Sequence, residues 1–149
     1  MLLHARWLLQ TGRSPLPDVA AYAAMPKVSP GPQAGGKLAG NALTQASMLR
    51  IAADWQSSHG LPAAATIAQG LAALADSERL AGGVSTHRQA ERGALLAVNA
   101  RIQKEPSAKK QAAEEAAALL RPALHDRPPL TWLYRSYLEA AEQYLKTAQ

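Results

Sequence analysis

Alanine constrains this chain more than any other residue, since it fills 33 of the 149 positions while phenylalanine and cysteine are absent. Alanine is the strongest helix former, and its small side chain lets neighbouring helices approach closely. The composition therefore predicts an all-α protein. The length suits one ordinary domain with a buried core. That core must consist mainly of leucine and alanine, because only seven residues are aromatic.

Residues 1–37 are predicted to form an N-terminal arm rich in proline and glycine. Segment 25–37 contains three prolines and three glycines, which disfavour regular structure. One or two short helices are predicted before it, within residues 1–10 and 19–24. The arm has too few large apolar side chains for a core of its own. We therefore expect it either to lie across the rest of the chain or to dock on a partner.

Residues 38–149 are predicted to form a single bundle of about five main helices. Gly60 and Gly82 mark two helix ends, and Pro62 suits the first turn of a new helix. The five helices are predicted over about 38–59, 62–81, 86–104, 108–121 and 130–146.

Three features add detail to this bundle. The first helix is apolar over most of its circumference, with Met48 and Ile51 in a second apolar band, which predicts a central position. Thr86 stands three residues before Gln89, the spacing of a capping box, and is predicted to start the third helix. Pro122 is predicted to end or kink the fourth helix.

The last predicted helix has the clearest apolar stripe, formed by leucines and tyrosines that include Tyr137. Trp132 lies on the opposite side of the helical wheel, and Arg135 shares that side. An exposed tryptophan is a frequent anchor of protein contacts. Trp132 and Arg135 are therefore the candidate partner contacts. The alternative is that the Trp132 ring folds back over the prolines at 128–129.

Direct nucleic-acid binding is the leading alternative function, because the chain carries a net charge of +5 and residues 1–53 alone carry a net +4. In the helix predicted over 86–104, four polar or basic residues share one face. Such residue types contact both phosphates and base edges. The candidate nucleic-acid contacts are Arg88, Arg92, Asn99 and Gln103, together with the basic N-terminal segment.

The sequence offers no constellation for catalysis or metal binding. Its four histidines are far apart, so no helix presents two of them to one metal ion. His87 and Glu91 have i,i+4 spacing and could form half a site, although such pairs are usually surface contacts. Glu114 and Glu115 point to different sides of their helix. The chain is therefore predicted not to be an enzyme, and no catalytic residue, metal ligand or cofactor is assigned.

No apolar run approaches the roughly 18 residues that a membrane span needs, so no membrane partner is predicted. The expected location is the cytoplasm, with organelle import through the N-terminal segment as the alternative. These features predict a non-catalytic helical binding module that acts through protein–protein contacts or self-association. It would be a component of a larger assembly that could contain nucleic acid.

Overall fold

A computed structural model describes residues 1–26 and 35–148 of the chain. Within these residues the structure is all-helical and contains no strand, as the composition predicts. The described part contains seven α-helices and one short 3-10 helix, Pro128–Leu130. The α-helices are α1 (Leu2–Gln10), α2 (Leu16–Ala23), α3 (Gly35–Ser58), α4 (Ala64–Ala81), α5 (Thr86–Ile102), α6 (Pro106–Asp126) and α7 (Thr131–Thr147).

The chain divides into two compact units. Unit 1 spans Met1–Gly83 and contains α1 to α4, and unit 2 spans Val84–Gln149 and contains α5 to α7. This division falls between the second and third of the main helices predicted from the sequence. That residues 38–149 form a single bundle stays a prediction.

Unit 1 is built on α3 and α4, which pack along each other. Ile51 of α3 and Leu74 of α4 are fully buried. The Ser77 hydroxyl on α4 donates a hydrogen bond of 2.7 Å to the Ala39 carbonyl oxygen on α3. Because this bond is buried, it stabilises one register of the two helices over others that would leave the hydroxyl unpaired.

The helices of the predicted N-terminal arm pack on α3. Ala5 of α1 forms a buried cluster with Met48 and Ile51 of α3. The partly buried residues packed against this cluster are Leu2, Leu9, Val19 and Tyr22. The described part of the arm therefore lies across the chain's own helices, and α3 is central within unit 1. Residues 27–34 of the predicted proline- and glycine-rich segment lie outside the described residues.

The glycines predict the helix boundaries correctly, whereas Pro62 and Pro122 do not. Gly60 and Gly82 have φ angles of 70° and 76°, the left-handed conformation in which glycine ends a helix. The prediction that Pro62 lies in the first turn of a helix is wrong, because α4 begins at Ala64. Pro122 does not end α6, which continues to Asp126.

The start of α5 differs from the predicted capping box. Ser85, not Thr86, is the N-cap residue, and its side chain accepts a hydrogen bond from the Arg88 backbone N–H. Ser85 has the extended backbone typical of an N-cap, with φ −93° and ψ 162°. The helix begins at Thr86, as predicted, but because Ser85 caps it the predicted capping role of Thr86 is wrong.

Close contact between α5 and α6 forms the centre of unit 2. A Cβ atom placed on Gly93 of α5 would lie 2.7 Å from Cγ of Leu120 and 3.2 Å from the carbonyl oxygen of Ala116. No side chain fits at position 93 at this separation of the helices. The buried alanines of the two helices are Ala90, Ala94, Ala97, Ala100, Ala112, Ala113, Ala116, Ala117 and Ala123.

Helix α7 contacts both α5 and α6, and it contributes buried tyrosine side chains, a residue type that these two helices lack. Tyr134, Tyr137 and Ala141 are buried on its inner face, and Leu130 is buried just before the helix begins. The apolar stripe predicted for the last helix is confirmed at these positions. Leu138 is only half-buried.

Candidate partner-binding surface

Trp132 lies near the start of α7 with 83 % of its surface exposed. Tyr134, two residues later, is only 1 % exposed. The outward position that the helical wheel predicts for Trp132 is confirmed. The alternative, in which the prolines at 128–129 cover the ring, does not agree with this exposure.

The backbone on both sides of Trp132 is anchored in unit 2. Leu130 is buried, and its backbone N–H donates a hydrogen bond of 3.0 Å to the Arg127 carbonyl oxygen. Tyr134 is buried and hydrogen-bonded on the inner face of α7. Because its neighbours are held in place, the Trp132 backbone has little freedom left to lose when a partner binds.

Arg135, the second candidate contact, is exposed on the same side of α7. Its Nε donates a hydrogen bond of 2.9 Å to the Glu139 carboxylate, and both side chains are more than half exposed. An exposed i,i+4 ion pair contributes only about 0.3–0.5 kcal/mol. Arg135 can therefore exchange Glu139 for a carboxylate of a partner at little cost in stability.

Arg88, Arg92 and Asn99 lie on α5, and Gln103 is the residue that caps its C-terminus. All four of these candidate nucleic-acid contacts are half-buried. Nη1 of Arg88 donates a hydrogen bond of 3.1 Å to the Ser85 hydroxyl. Nε2 of Gln103 donates a hydrogen bond of 2.9 Å to Oδ1 of Asn99. Arg92 also interacts within the chain. These groups already have partners within the chain, so reading base edges would require them to exchange those bonds. Their role in nucleic-acid binding stays a prediction.

A buried polar network in unit 2 was missed by sequence reasoning. The Tyr134 hydroxyl donates a hydrogen bond to the Glu91 carboxylate, and Nε2 of His87 lies 2.9 Å from the same hydroxyl oxygen. Glu91 is fully buried, so the expectation that His87 and Glu91 form a surface pair is wrong. Because the Tyr134 hydroxyl uses its hydrogen in the bond to Glu91, its oxygen can only accept from His87. A hydrogen bond between them therefore requires a hydrogen on Nε2 of His87.

The sequence did contain a signal for the burial of Glu91. Glu91 follows Ala90 and precedes Ala94 and Leu95 by about one helical turn, and these three neighbours are buried. It therefore lies on the apolar side of the helical wheel. Tyr134, which donates a hydrogen bond to this buried carboxylate, is 43 residues away in the sequence, so local spacing could not reveal the contact.

A cleft of about 540 Å³ opens in unit 1 between α2, α3 and α4, with mainly apolar walls. Asp76 lies at the cleft and pairs with Arg79 at 3.6 Å. The Tyr22 hydroxyl donates a hydrogen bond of 3.2 Å to the Asn41 carbonyl oxygen. Burial raises the pKa of the Tyr22 phenol above its ordinary value. Among the described lining residues, the cleft brings together no nucleophile and base of the kind that covalent catalysis needs.

Two further features are absent from residues 1–26 and 35–148. No three histidine or acidic side chains in this part of the chain lie together as ligands for a metal ion. None of the helices there combines the length and the apolar character that crossing a membrane requires.

No protein-family model, no curated protein and no solved structure matches this chain.

Proposed function

We propose that the chain is a non-catalytic binding module that acts through protein–protein contacts as a component of a larger assembly. The observation that carries this proposal is the exposure of Trp132 on a helix whose Tyr134 and Tyr137 side chains are buried. Tryptophan and arginine are among the residues enriched at the positions that dominate binding energy at protein interfaces. Trp132 and Arg135 are therefore the proposed contacts. The cytoplasm is the proposed compartment.

The charges around Trp132 favour a protein partner over nucleic acid. Arg135 and Glu139 stand side by side on the exposed face of α7, so the surface carries both signs of charge. Arg135 would attract a phosphate backbone and Glu139 would repel it. A protein surface with mixed charges can complement both. Direct nucleic-acid binding through α5 and the basic N-terminal segment remains the alternative.

Photo-crosslinking tests the proposal directly. We would replace Trp132 with the photoreactive residue benzoylphenylalanine in cells that normally express the chain. The matched control carries the same residue in place of Glu114, which is also exposed in unit 2. We expect one protein to be crosslinked from position 132 in repeated experiments, and not from position 114.

Two outcomes would contradict the proposal. One is crosslinking from position 132 that does not exceed the control, since a contact anchor must lie against its partner. The other is a crosslinked product that nuclease digestion removes, which would support the nucleic-acid alternative instead.

A further inference from the structure

A second exposed apolar pair lies on α1 in unit 1. Leu3 is 78 % exposed and Trp7, one helical turn later, is 47 % exposed. The other side of the same helix is anchored, because Ala5 is fully buried against α3. Leu3 and Trp7 therefore project from a helix that is fixed in unit 1, as an interface anchor requires.

The Trp7 ring is flanked by two basic side chains. The His4 ring stacks on it at a centroid distance of 5.8 Å and an angle of 19°. Cζ of Arg13 lies 5.5 Å from the centroid of the Trp7 ring, a cation–π distance. His4 is also tied to α2, since its Nδ1 lies 2.6 Å from the Asp18 carboxylate. These contacts restrict the rotamers of Trp7 before any partner arrives, which lowers the entropy lost on binding.

The formal charges of residues 1–17 have a single sign. Between residues 1 and 17 the charged or titratable side chains are His4, Arg6 and Arg13, and none is acidic. The first acidic residue, Asp18, is only 19 % exposed and is already paired with His4. An apolar pair bordered by basic groups is complementary to a partner that carries apolar side chains beside carboxylates.

We propose that Leu3, Trp7 and Arg13 form a docking surface, here called the α1 surface, for an acidic segment of a partner protein. This inference rests on the proposed function as a protein-binding module and adds a second surface with a partner of defined chemistry. A protein segment is favoured over single-stranded nucleic acid, because His4 and Arg13 already lie against the indole ring. A base could stack there only by displacing one of them.

Peptide selection against the full-length chain tests the α1 surface. A phage library of random peptides would be panned on the immobilised chain, and enriched peptides would be synthesised and measured by fluorescence anisotropy. We expect the enriched peptides to combine aspartate or glutamate with leucine or an aromatic residue. We expect Trp7→Ala to weaken their binding by at least about tenfold, the loss typical of an interface anchor.

Charge-matched variants separate the α1 surface from general electrostatic attraction. Arg13→Glu and Arg127→Glu change the net charge equally, and Arg127 is an exposed residue of unit 2. We expect only Arg13→Glu to weaken peptide binding strongly. Because Arg13 lies outside the helices and is exposed, this variant should fold normally even if Trp7→Ala does not.

Four outcomes would overturn the α1 surface: no enriched peptide, enriched peptides without acidic residues, binding that survives both Trp7→Ala and Arg13→Glu, or binding lost only in Trp132→Ala. If binding is lost only in Trp132→Ala, the proposed protein-binding function is retained, but Trp132 is its contact surface and the α1 surface is not. Sedimentation with vesicles of phosphatidylcholine and phosphatidylglycerol gives a further test. Vesicle binding that depends on Trp7, without any peptide binding, would replace the protein partner with a lipid surface.

Discussion

The Tyr134 hydroxyl on α7 donates a hydrogen bond to the carboxylate of Glu91 on α5. Both residues are buried, so neither group can replace this bond with one to water. Tyr134 lies two residues after Trp132 in the sequence. Its bond to Glu91 therefore connects α7, which carries Trp132, with α5. The geometry of the candidate partner-binding surface therefore depends on a buried polar contact.

Replacing Tyr134 with phenylalanine tests this dependence. Tyr134→Phe removes the hydroxyl that donates to Glu91, so the buried carboxylate loses this hydrogen bond. We expect the free energy of unfolding to fall by about 1–3 kcal/mol. Urea denaturation followed by circular dichroism measures this change. Tyr144→Phe is the matched control, because Tyr144 is only half-buried. Equal unfolding midpoints for the two variants would show that the bond contributes nothing.

The close approach of α5 and α6 predicts an unusual response to a single methyl group. Gly93→Ala places a Cβ 2.7 Å from Cγ of Leu120 and 3.2 Å from the Ala116 carbonyl oxygen, so the Leu120 side chain or the helix backbones must shift. We expect a loss of about 1–3 kcal/mol, which exceeds the gain of about 1 kcal/mol in helix propensity.

Gly40→Ala is the control for Gly93→Ala, because a Cβ on Gly40 of α3 would meet nothing within 4 Å. We expect Gly40→Ala to be neutral or to raise the melting temperature. If Gly93→Ala were also stabilising, the contact between the two helices would have to be looser than the structure shows.

Aromatic residues on opposite faces of α7 should separate stability from binding. Tyr137 is buried, so Tyr137→Ala should cost about 2–4 kcal/mol through lost burial and the cavity left behind. Trp132→Ala should change stability by less than about 0.5 kcal/mol, as expected for an exposed position. Leu138 is half-buried and should give an intermediate loss. Thermal melting of all three variants decides the order. A Trp132→Ala variant that melts as early as Tyr137→Ala would place Trp132 in the core.

The nucleic-acid alternative makes a separate prediction. If several basic residues contact phosphates, affinity for single- or double-stranded probes must fall steeply with salt, because counterions are released on binding. Fluorescence anisotropy at several salt concentrations measures the slope. Arg88→Ala and Arg92→Ala should reduce both affinity and slope if α5 is the binding face. Absence of binding at low salt would remove this alternative.

The features that local sequence predicts well are those that local physics determines. Gly60 and Gly82 end helices because glycine adopts positive φ without strain. Trp132 points outward because helical periodicity places it opposite Tyr134 and Tyr137. Both conclusions need only the spacing of neighbouring residues, so the all-helical class and the outward position of Trp132 could be predicted.

Other features depend on residues that are distant in the sequence. The Tyr134 hydroxyl that donates to Glu91 lies 43 residues away in the sequence, and Arg13, which lies against the Trp7 ring, is beyond the end of α1. The packing of Ala5 against Met48 likewise needs the turn between α1 and α2 and the position of α3. No periodic pattern encodes such contacts, so the α1 surface could not be predicted.

The buried alanines of α5 and α6 make the contact between these helices more sensitive to larger side chains than to smaller or equally small ones. Alanine loses no side-chain rotamer freedom on folding, so each contact forms without that entropic cost. Its single methyl group also leaves little volume for a substitution to remove. Harm must therefore come mainly from substitutions that add atoms, because Gly93 already leaves no space beside Leu120. Random mutation of α5 and α6 should accordingly select against valine and leucine more strongly than against serine at these positions.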